Sequence, residues 1–419
     1  MTPYHFRLPE TFHPGEFLRS LRLRTCHDDA RYFVSLILTK LARRDVDECG
    51  NVRLMAKHLR SVMHKHNYAA VVDALLEYGA VTRSPYAVGE RAFGYVLSDR
   101  FRGDRHVRIP ATDARLIGRL DAYHQQAEQE RLSRMLPVHT ALERLQWRLR
   151  IDGDLAREII TGLPPASNPF DVQGILVADI EHRQFRMNVG RYGRVANNIT
   201  SMKRELRAAL RVGDYPLHHV DISCCQPAMI GQAARQADRK ARGQGGRELA
   251  TSIYDAPNST HSKSDLDDYC RLVQCGEFYD YLLAKLKTRS RLSLTRDELK
   301  RRFLADVIAK RKANDRGAEY PSEIEDCFRS LFPSVYQFIR NVNRDGFEHA
   351  NLIRELQRQE SSLVIETVSA DLLARLPRLF LLTLHDAIFT KPHGIPHVVR
   401  AFDAAFDAME FPMTLKVAT

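Results

Sequence analysis

Residues 217–234 read LHHVDISCCQPAMIGQAA, and this stretch decides how the C-terminal half of the chain is interpreted. The apolar run at 217–222 predicts a short strand that ends at Asp221, and residues 227–234 predict the start of a helix. Asp221 is therefore expected at a strand-to-helix turn, where a carboxylate is well placed to bind a metal ion.

A second carboxylate lies in residues 378–392, RLFLLTLHDAIFTKP. Apolar runs at 379–384 and 387–390 flank His385 and Asp386, which predicts a hairpin with an acidic tip. Two carboxylates on adjacent strands can hold two divalent ions, and oxygen ligands suit Mg²⁺, with Mn²⁺ as a substitute. Turn aspartates are common, however, and most only cap a helix or bond their own backbone, so the spacing alone does not establish a metal site.

The composition of the chain is basic. The 419 residues include 63 Lys and Arg against 52 Asp and Glu, which gives a formal net charge of +11. This excess indicates a polyanionic partner without specifying a fold. Because no apolar run reaches the length of a membrane span and the first residues lack the pattern of a secretion signal, we expect a cytoplasmic protein without a membrane partner.

Seven cysteines are present, at positions 26, 49, 224, 225, 270, 275 and 327. They form no CxxC pair and have no spacing typical of zinc ligands. Their odd number and the adjacency of Cys224 and Cys225 argue against a disulfide framework. The pattern predicts reduced thiols in a reducing compartment.

The chain is predicted to contain three regions. Residues 1–110 form a helical N-terminal region with a winged-helix-like unit at about 45–105, because two helical patterns precede short extended segments. Units of this kind bind DNA or simply pack on a neighbour, and both interpretations stay open. Residues 111–160 are expected to be helical throughout, within a connector at 111–165. The sequence TGLPPASNP at 161–169 predicts a boundary before 166–419, and residues 239–263 predict a surface loop.

Short motifs in the third region occur in the order found in a known superfamily. The pattern D-I-S-x-x-Q at 221–226 resembles motif A of the family A polymerases, the group of DNA polymerase I and the single-subunit phage RNA polymerases. His385 and Asp386 between apolar strands resemble motif C of the same group. The segment that leads into motif A in this group is resembled by Gly193 and Arg194, the dipeptide Asn-Ile at 198–199, and Arg207.

Two further stretches extend the resemblance over roughly residues 190–395. Arg296 and Lys300 are similar to the start of motif B, although Leu304 and Ile308 occupy the positions where that motif has its ring-bearing residues. Gln357 opens a predicted helix where the family has a glutamine that contacts the template. Arg296 and Lys300 lie one helical turn apart and can meet one polyphosphate, or they belong to an ordinary basic surface.

The resemblance implies an α+β fold with a right-hand palm-and-fingers core at 166–419, and with the connector at 111–165 as a thumb-like region. It implies template-directed nucleotidyl transfer with two Mg²⁺ ions, on a nucleic-acid template and primer or product, with nucleoside triphosphates as substrates. The resemblance implies that the metal ligands are Asp221, Asp386 and the main chain of Ile222. It implies Arg296 and Lys300 as the triphosphate contacts. The implied nucleic-acid contacts are Arg194, Arg207 and Gln357.

Gln226 stands where the family A DNA polymerases have a glutamate that senses the sugar. Because a glutamine keeps the bulk and loses the charge, the resemblance implies neither deoxyribonucleotide nor ribonucleotide selection. The alternative is that Gln226 only caps the helix expected at Pro227.

A different class of function also fits the sequence: a non-catalytic DNA-binding replication initiator or regulator that uses the winged-helix-like unit. A metal-dependent His-Asp phosphohydrolase is disfavoured, because His218 and His219 lie on a predicted strand. The sequence leaves the oligomeric state open.

Overall fold

The computed structural model describes residues 4–18, 23–85, 92–241, 263–289, 292–311 and 321–418, and it is a mixed helix-and-strand structure. The α-helices are, in chain order, α1 (Gly15–Leu18), α2 (His27–Ala42), α3 (Ala56–Val62), α4 (Tyr68–Glu77), α5 (Ala114–Leu132), α6 (Pro137–Gln146), α7 (Gly153–Thr161), α8 (Val172–Glu181), α9 (Cys225–Ala241), α10 (Lys263–Gln274), α11 (Phe278–Arg289), α12 (Arg296–Phe303), α13 (Glu323–Leu331), α14 (Pro333–Val342), α15 (Asn351–Ser361), α16 (Ala370–Arg375) and α17 (Ile395–Ala408).

The strands are β1 (His5–Pro9), β2 (Val52–Arg53), β3 (Val81–Ser84), β4 (Gly94–Leu97), β5 (His106–Pro110), β6 (Leu149–Ile151), β7 (Met187–Val189), β8 (Val195–Asn197), β9 (Leu210–Val212), β10 (Tyr215–Pro216), β11 (His218–Ile222), β12 (Leu382–Leu384), β13 (Ala387–Thr390) and β14 (Leu415–Ala418).

The chain divides into two compact units, and each is built from several segments. Unit 1 contains Met1–Met135, Trp147–Asn188 and Ala196–Pro216, and unit 2 contains Leu136–Gln146, Val189–Val195 and Leu217–Thr419. The proline-containing loop at 161–169, which was expected to mark a boundary, lies inside unit 1.

Unit 1 combines small antiparallel sheets with helices. β1 pairs with β5, β4 lies between β2 and β3, and β9 lies between β10 and β6. The apolar residues of α2 face the interior, where Phe33, Ile37 and Leu38 are fully buried. The two helices predicted before the short extended segments of the winged-helix-like unit are α3 and α4. One of those predicted extended segments, at residues 86–88, lies outside the described residues.

The expectation of continuous helix over 111–160 is wrong. Between α6 and α7 the chain forms strand β6, which pairs antiparallel with β9 through the partners Leu149 and Val212. A three-residue strand between two helices leaves no periodic pattern of its own, and its pairing partner lies about 60 residues away in the sequence.

Unit 2 is mainly helical around a cluster of buried aromatic rings. Tyr269, Phe278, Phe303, Phe328 and Phe332 are almost completely buried, and the ring of Tyr269 meets those of Phe278 and Phe332 edge-on at 5.3 Å. The cluster joins α10 to α13, and such edge-to-face contacts stabilise beyond the area that they bury. The Tyr269 hydroxyl also donates to the carbonyl of Pro227 at 3.0 Å, which fixes the first turns of α9.

Unit 2 also contains an antiparallel sheet of four strands in the order β12-β13-β11-β14. β11 is a central strand: Val220 is opposite Ile388 of β13 on one side and Val417 of β14 on the other. The predicted hairpin at 379–390 is present as β12 and β13. The helix predicted from Pro227 begins two residues earlier, at Cys225, and the sequence patterns did not predict β14.

None of the helices in the described residues has the length and apolar character needed to cross a membrane. All seven cysteines are described, and each is a free thiol.

Candidate active site

Asp221 and Asp386 lie at the same edge of the four-stranded sheet. Asp221 is opposite Ala387, the first residue of β13, and Asp386 immediately precedes it in the turn. The carbonyl of Asp386 accepts a hydrogen bond from the main-chain N–H of Ile222 at 3.4 Å, which joins the two segments beyond the last cross-strand pair. The antiparallel register therefore brings together two residues that are 165 positions apart in the sequence.

The electrostatic state of Asp386 reflects this proximity. Burial raises the pKa of the Asp386 carboxyl well above its usual range, and the charges of Asp221 and Glu360 raise it further, while Arg194 opposes the shift. Like charges held close together disfavour ionisation unless a cation compensates them. The edge is therefore an electronegative site that favours a bound cation.

Glu360 is a third carboxylate beside this pair, and the sequence patterns did not identify it. It is 2% exposed, and its Oε2 accepts a hydrogen bond from Nη2 of Arg194 at 2.6 Å. Burial raises the pKa of Glu360, while Arg194 and the side chain of Gln226 lower it. The second oxygen of Glu360 and the Nε of Arg194 are buried without a hydrogen-bond partner of normal geometry.

A sequence signal for Glu360 does exist. Leu352, Leu356 and Glu360 follow one another at intervals of four residues on α15, and all three are buried. A carboxylate on the apolar face of a helix needs a partner, and that requirement marks it as a candidate site residue.

The structure places Gln226 against Glu360 and excludes its role as a helix cap. α9 begins at Cys225, so Gln226 belongs to the first turn and does not precede the helix. Its side chain faces the Glu360 carboxylate and lowers the pKa of that group. The neighbouring Cys225 thiol is buried, and burial together with Asp386, Glu360 and Asp221 raises its pKa.

Arg296 and Lys300 share one face of α12, as their spacing predicts. Both cations lie over the ring of Tyr279, at 5.7 and 5.6 Å from its centroid. Arg296 also forms an ion pair with Asp280 at 3.0 Å. Burial raises the pKa of Tyr279, with Arg296 lowering it and Asp386 raising it, so this ring is within electrostatic range of both the cations and the acidic edge.

A third cation belongs to this region. Lys416 on β14 is directly opposite Asp221, and residues in such pairs project from the same face of a sheet. Burial raises the pKa of the Cys224 thiol, and the charges of Arg296, Lys300 and Lys416 all lower it. Lys416 was missed because β14 was not predicted.

The other two predicted nucleic-acid contacts are Arg207 and Gln357. Arg207 is in a 3-10 helix, Glu205–Ala209, that belongs to unit 1. Gln357 is half-buried in the middle of α15, which begins at Asn351, so the prediction that Gln357 opens this helix is wrong. Arg194 is joined to the acidic edge through its ion pair with Glu360.

The two carboxylates at the sheet edge suit Mg²⁺, which needs few protein ligands, better than a metal ion that is coordinated entirely by protein side chains. Among the residues that the structure describes, no three His, Cys, Asp or Glu side chains form a group able to hold a metal ion. Mg²⁺ characteristically uses one or two carboxylates and completes its shell with water and substrate phosphates. Asp221 and Asp386 supply that number of carboxylates.

Comparisons with known proteins give little further information. No protein-family model matches the chain, and no curated protein sequence matches it. Among solved structures, it is similar to the POL domain of Pol1 from M. smegmatis in complex with DNA primer-template and dNTP, with 12% identity over 96% of this chain and 72% of the other, and a TM-score of 0.32. A similarity at this level assigns neither family nor function, so the functional argument depends on the site itself.

Proposed function

We propose that the chain is a template-directed nucleotidyltransferase, a DNA or RNA polymerase, with its active site at the edge of the four-stranded sheet in unit 2. The observation that carries this proposal is the placement of Asp221 near the end of β11 and of Asp386 in the turn before the neighbouring strand β13, where the charge of Asp221 opposes ionisation of Asp386. The order of the motifs around these two residues supports the same reaction class.

The reaction joins the 3′-oxygen of a primer or product strand to the α-phosphorus of a nucleoside triphosphate and breaks the bond to pyrophosphate. Two Mg²⁺ ions held by Asp221, Asp386 and the main chain of Ile222 would polarise the 3′-hydroxyl and stabilise the leaving pyrophosphate. Lys300 and Lys416 supply positive charge for the triphosphate. Arg296 can join them by exchanging Asp280 for a phosphate, since a guanidinium binds both groups in the same way.

Glu360 holds two predicted substrate or nucleic-acid contacts in place. Its carboxylate accepts a hydrogen bond from Arg194 and lies beside the side chain of Gln226, so it would orient both side chains toward the site. In this proposal Gln226 faces the sugar of the incoming nucleotide from its position beside Glu360.

Primer extension tests the proposal. The full chain is incubated with Mg²⁺ and a primed template, with dNTPs and NTPs supplied separately and with DNA and RNA templates. Asp221→Asn and Asp386→Asn are each expected to lower incorporation by at least about a thousandfold, because loss of a metal ligand removes stabilisation of the transition state. Asp403→Asn, on the exposed face of α17, is the matched control and should retain full activity.

The alternative function predicts a different result. A DNA-binding initiator or regulator would bind DNA without Mg²⁺, and would bind equally well after either substitution, with no extension on any template. Extension that persists in both Asn variants would also exclude the proposed active site.

A further inference from the structure

Unit 1 contains a cavity that the proposed function does not use. Its volume is about 1010 Å³, and its walls come from β1, α2, α3 and α5 and the segment after α2. Ligand-binding cavities typically measure about 300–1,000 Å³, so there is room for a ligand of nucleotide size or somewhat larger.

The cavity wall carries an excess of positive charge. Five Lys or Arg side chains line it against two carboxylates, Asp45 and Glu130. Both carboxylates already form ion pairs, Asp45 with Lys40 and Glu130 with Arg134. They therefore do not neutralise the remaining cations of the wall.

Two of those cations form no hydrogen bond or ion pair within the described part of the chain. The side chains of Arg43 and Lys57 line the cavity and make no hydrogen bond or ion pair with any residue that the structure describes. Burial lowers the pKa of Arg43, and the charges of Asp179 and Asp45 oppose this shift, but Asp179 is already bound to Arg7 at 2.8 Å and Asp45 to Lys40. Guanidinium and ammonium groups without partners, facing a cavity, are suited to bind an anion such as phosphate.

Burial and the positive charge of the wall both act on two of its histidines, His58 and His124. Burial lowers the pKa of His58, and the charge of Lys40 lowers it further. Burial also lowers the pKa of His124, with Arg43 adding to the effect against the opposing charge of Asp121. Both imidazoles are consequently neutral near pH 7, so they offer flat ring faces and hydrogen-bonding nitrogens to a ligand.

An aromatic surface lies beside these cations. The ring of Tyr123 meets that of His58 at 4.7 Å and that of His124 at 5.8 Å, and the His58 ring nitrogen bonds the Tyr32 hydroxyl at 2.9 Å. Tyr123 is 38% exposed, so part of its ring remains available. Aromatic faces next to cations are the usual means by which proteins hold a nucleobase and its phosphate.

We propose that this cavity binds a nucleoside phosphate, with the base stacked on Tyr123 and the phosphate held by Arg43 and Lys57. The ligand is either a free nucleotide or the phosphorylated terminal nucleotide of a single strand, since both present the same chemistry. The site lies in unit 1 and does not depend on the polymerase proposal.

Binding is measured with the full chain in EDTA, in an Asp221→Asn/Asp386→Asn background, so that the metal-dependent site does not contribute. The probes are dTMP, dTTP and a dT12 oligonucleotide with and without a 5′-phosphate. Their binding is measured by calorimetry and by fluorescence anisotropy. The test variants are Arg43→Ala, Lys57→Ala and Tyr123→Ala. Lys65→Ala removes an exposed charge outside the cavity, and Tyr123→Phe keeps the ring.

Each test variant is expected to weaken binding about tenfold, while Lys65→Ala and Tyr123→Phe leave it within about twofold of the parent. Binding of dTMP or dTTP with this pattern supports the site and identifies a free nucleotide. Binding of only the 5′-phosphorylated oligonucleotide with the same pattern supports the site and identifies a strand end. The proposal fails if no probe binds, or if Lys65→Ala reduces affinity as much as Lys57→Ala in proteins with matching circular dichroism spectra.

Discussion

At the scale of single residues, the contact between Glu360 and Arg194 is the feature with the clearest energetic consequence. Removing one member of a buried ion pair leaves the other charge poorly compensated, which costs more than removing both. We expect Glu360→Gln and Arg194→Met each to lower the free energy of unfolding, with a coupling of about 1–3 kcal/mol in the double-mutant cycle measured by urea denaturation.

The control for this cycle is the exposed pair of Arg157 and Glu181, which should show much weaker coupling. If the Glu360 and Arg194 substitutions are simply additive, the two side chains do not stabilise each other and Glu360 does not orient Arg194.

The raised pKa of Asp386 predicts how the metal-free protein responds to pH. The Asp386 carboxyl holds its proton more tightly in the folded state than in the unfolded chain. Its contribution to stability is therefore fully present below the unfolded pKa of about 4, and it is lost as the pH rises through the pKa of the folded state. At pH 8 in EDTA, Asp386→Asn should raise the free energy of unfolding by about 1 kcal/mol or more.

The same measurement at pH 5.5 should show a smaller difference between wild type and Asp386→Asn. A substitution that destabilises the metal-free protein equally at both pH values would contradict the proposed repulsion between Asp386 and its acidic neighbours.

At the scale of secondary-structure elements, sequence patterns identified the strand with Asp221 and the hairpin with Asp386. Both were predictable because compact apolar runs flank each carboxylate. β14 was not predictable from the sequence, because it contains only four residues and two of them are well exposed. Its partner β11 also lies about 195 residues earlier in the chain. Its pairing is a long-range property that a local pattern does not contain, and Lys416 was missed with it.

Removal of β14 is expected to damage the site through the sheet. Truncation after Thr414 makes β11 an edge strand and leaves backbone groups on that side unpaired, including those next to Asp221. The expected loss is about 2–4 kcal/mol of unfolding free energy, with faster amide exchange in β11. Lys416→Gln in the full chain retains the strand and should keep the unfolding free energy within about 0.5 kcal/mol of wild type. If Lys416→Gln lowers the unfolding free energy as much as the truncation does, a structural role for the pairing is contradicted.

At the scale of the whole molecule, the sequence predicted the basic character of the chain but not how it divides into units. Proline-rich loops mark breaks between elements, and the loop at 161–169 is such a break within unit 1. The chain enters and leaves each unit several times, so unit membership depends on long-range packing that composition shifts do not reveal.

The net charge of +11 predicts that affinity for a primed DNA template falls steeply with salt. Each phosphate contact releases condensed counterions and contributes about −0.9 to the slope of log affinity against log salt. Between 50 and 200 mM NaCl we expect a loss of at least about tenfold by fluorescence anisotropy. A flat response would contradict nucleic acid as the main partner and indicate a small-molecule substrate.

The central claim is that Asp221 and Asp386 together form one divalent-metal site. The most direct test measures Mn²⁺ binding by electron paramagnetic resonance. With primed template and a non-hydrolysable nucleoside triphosphate present, the account predicts two Mn²⁺ ions per chain. Asp221→Asn and Asp386→Asn should each weaken this binding at least about tenfold, while Asp403→Asn leaves it unchanged. Equal Mn²⁺ binding by the wild type and both site variants would contradict the account.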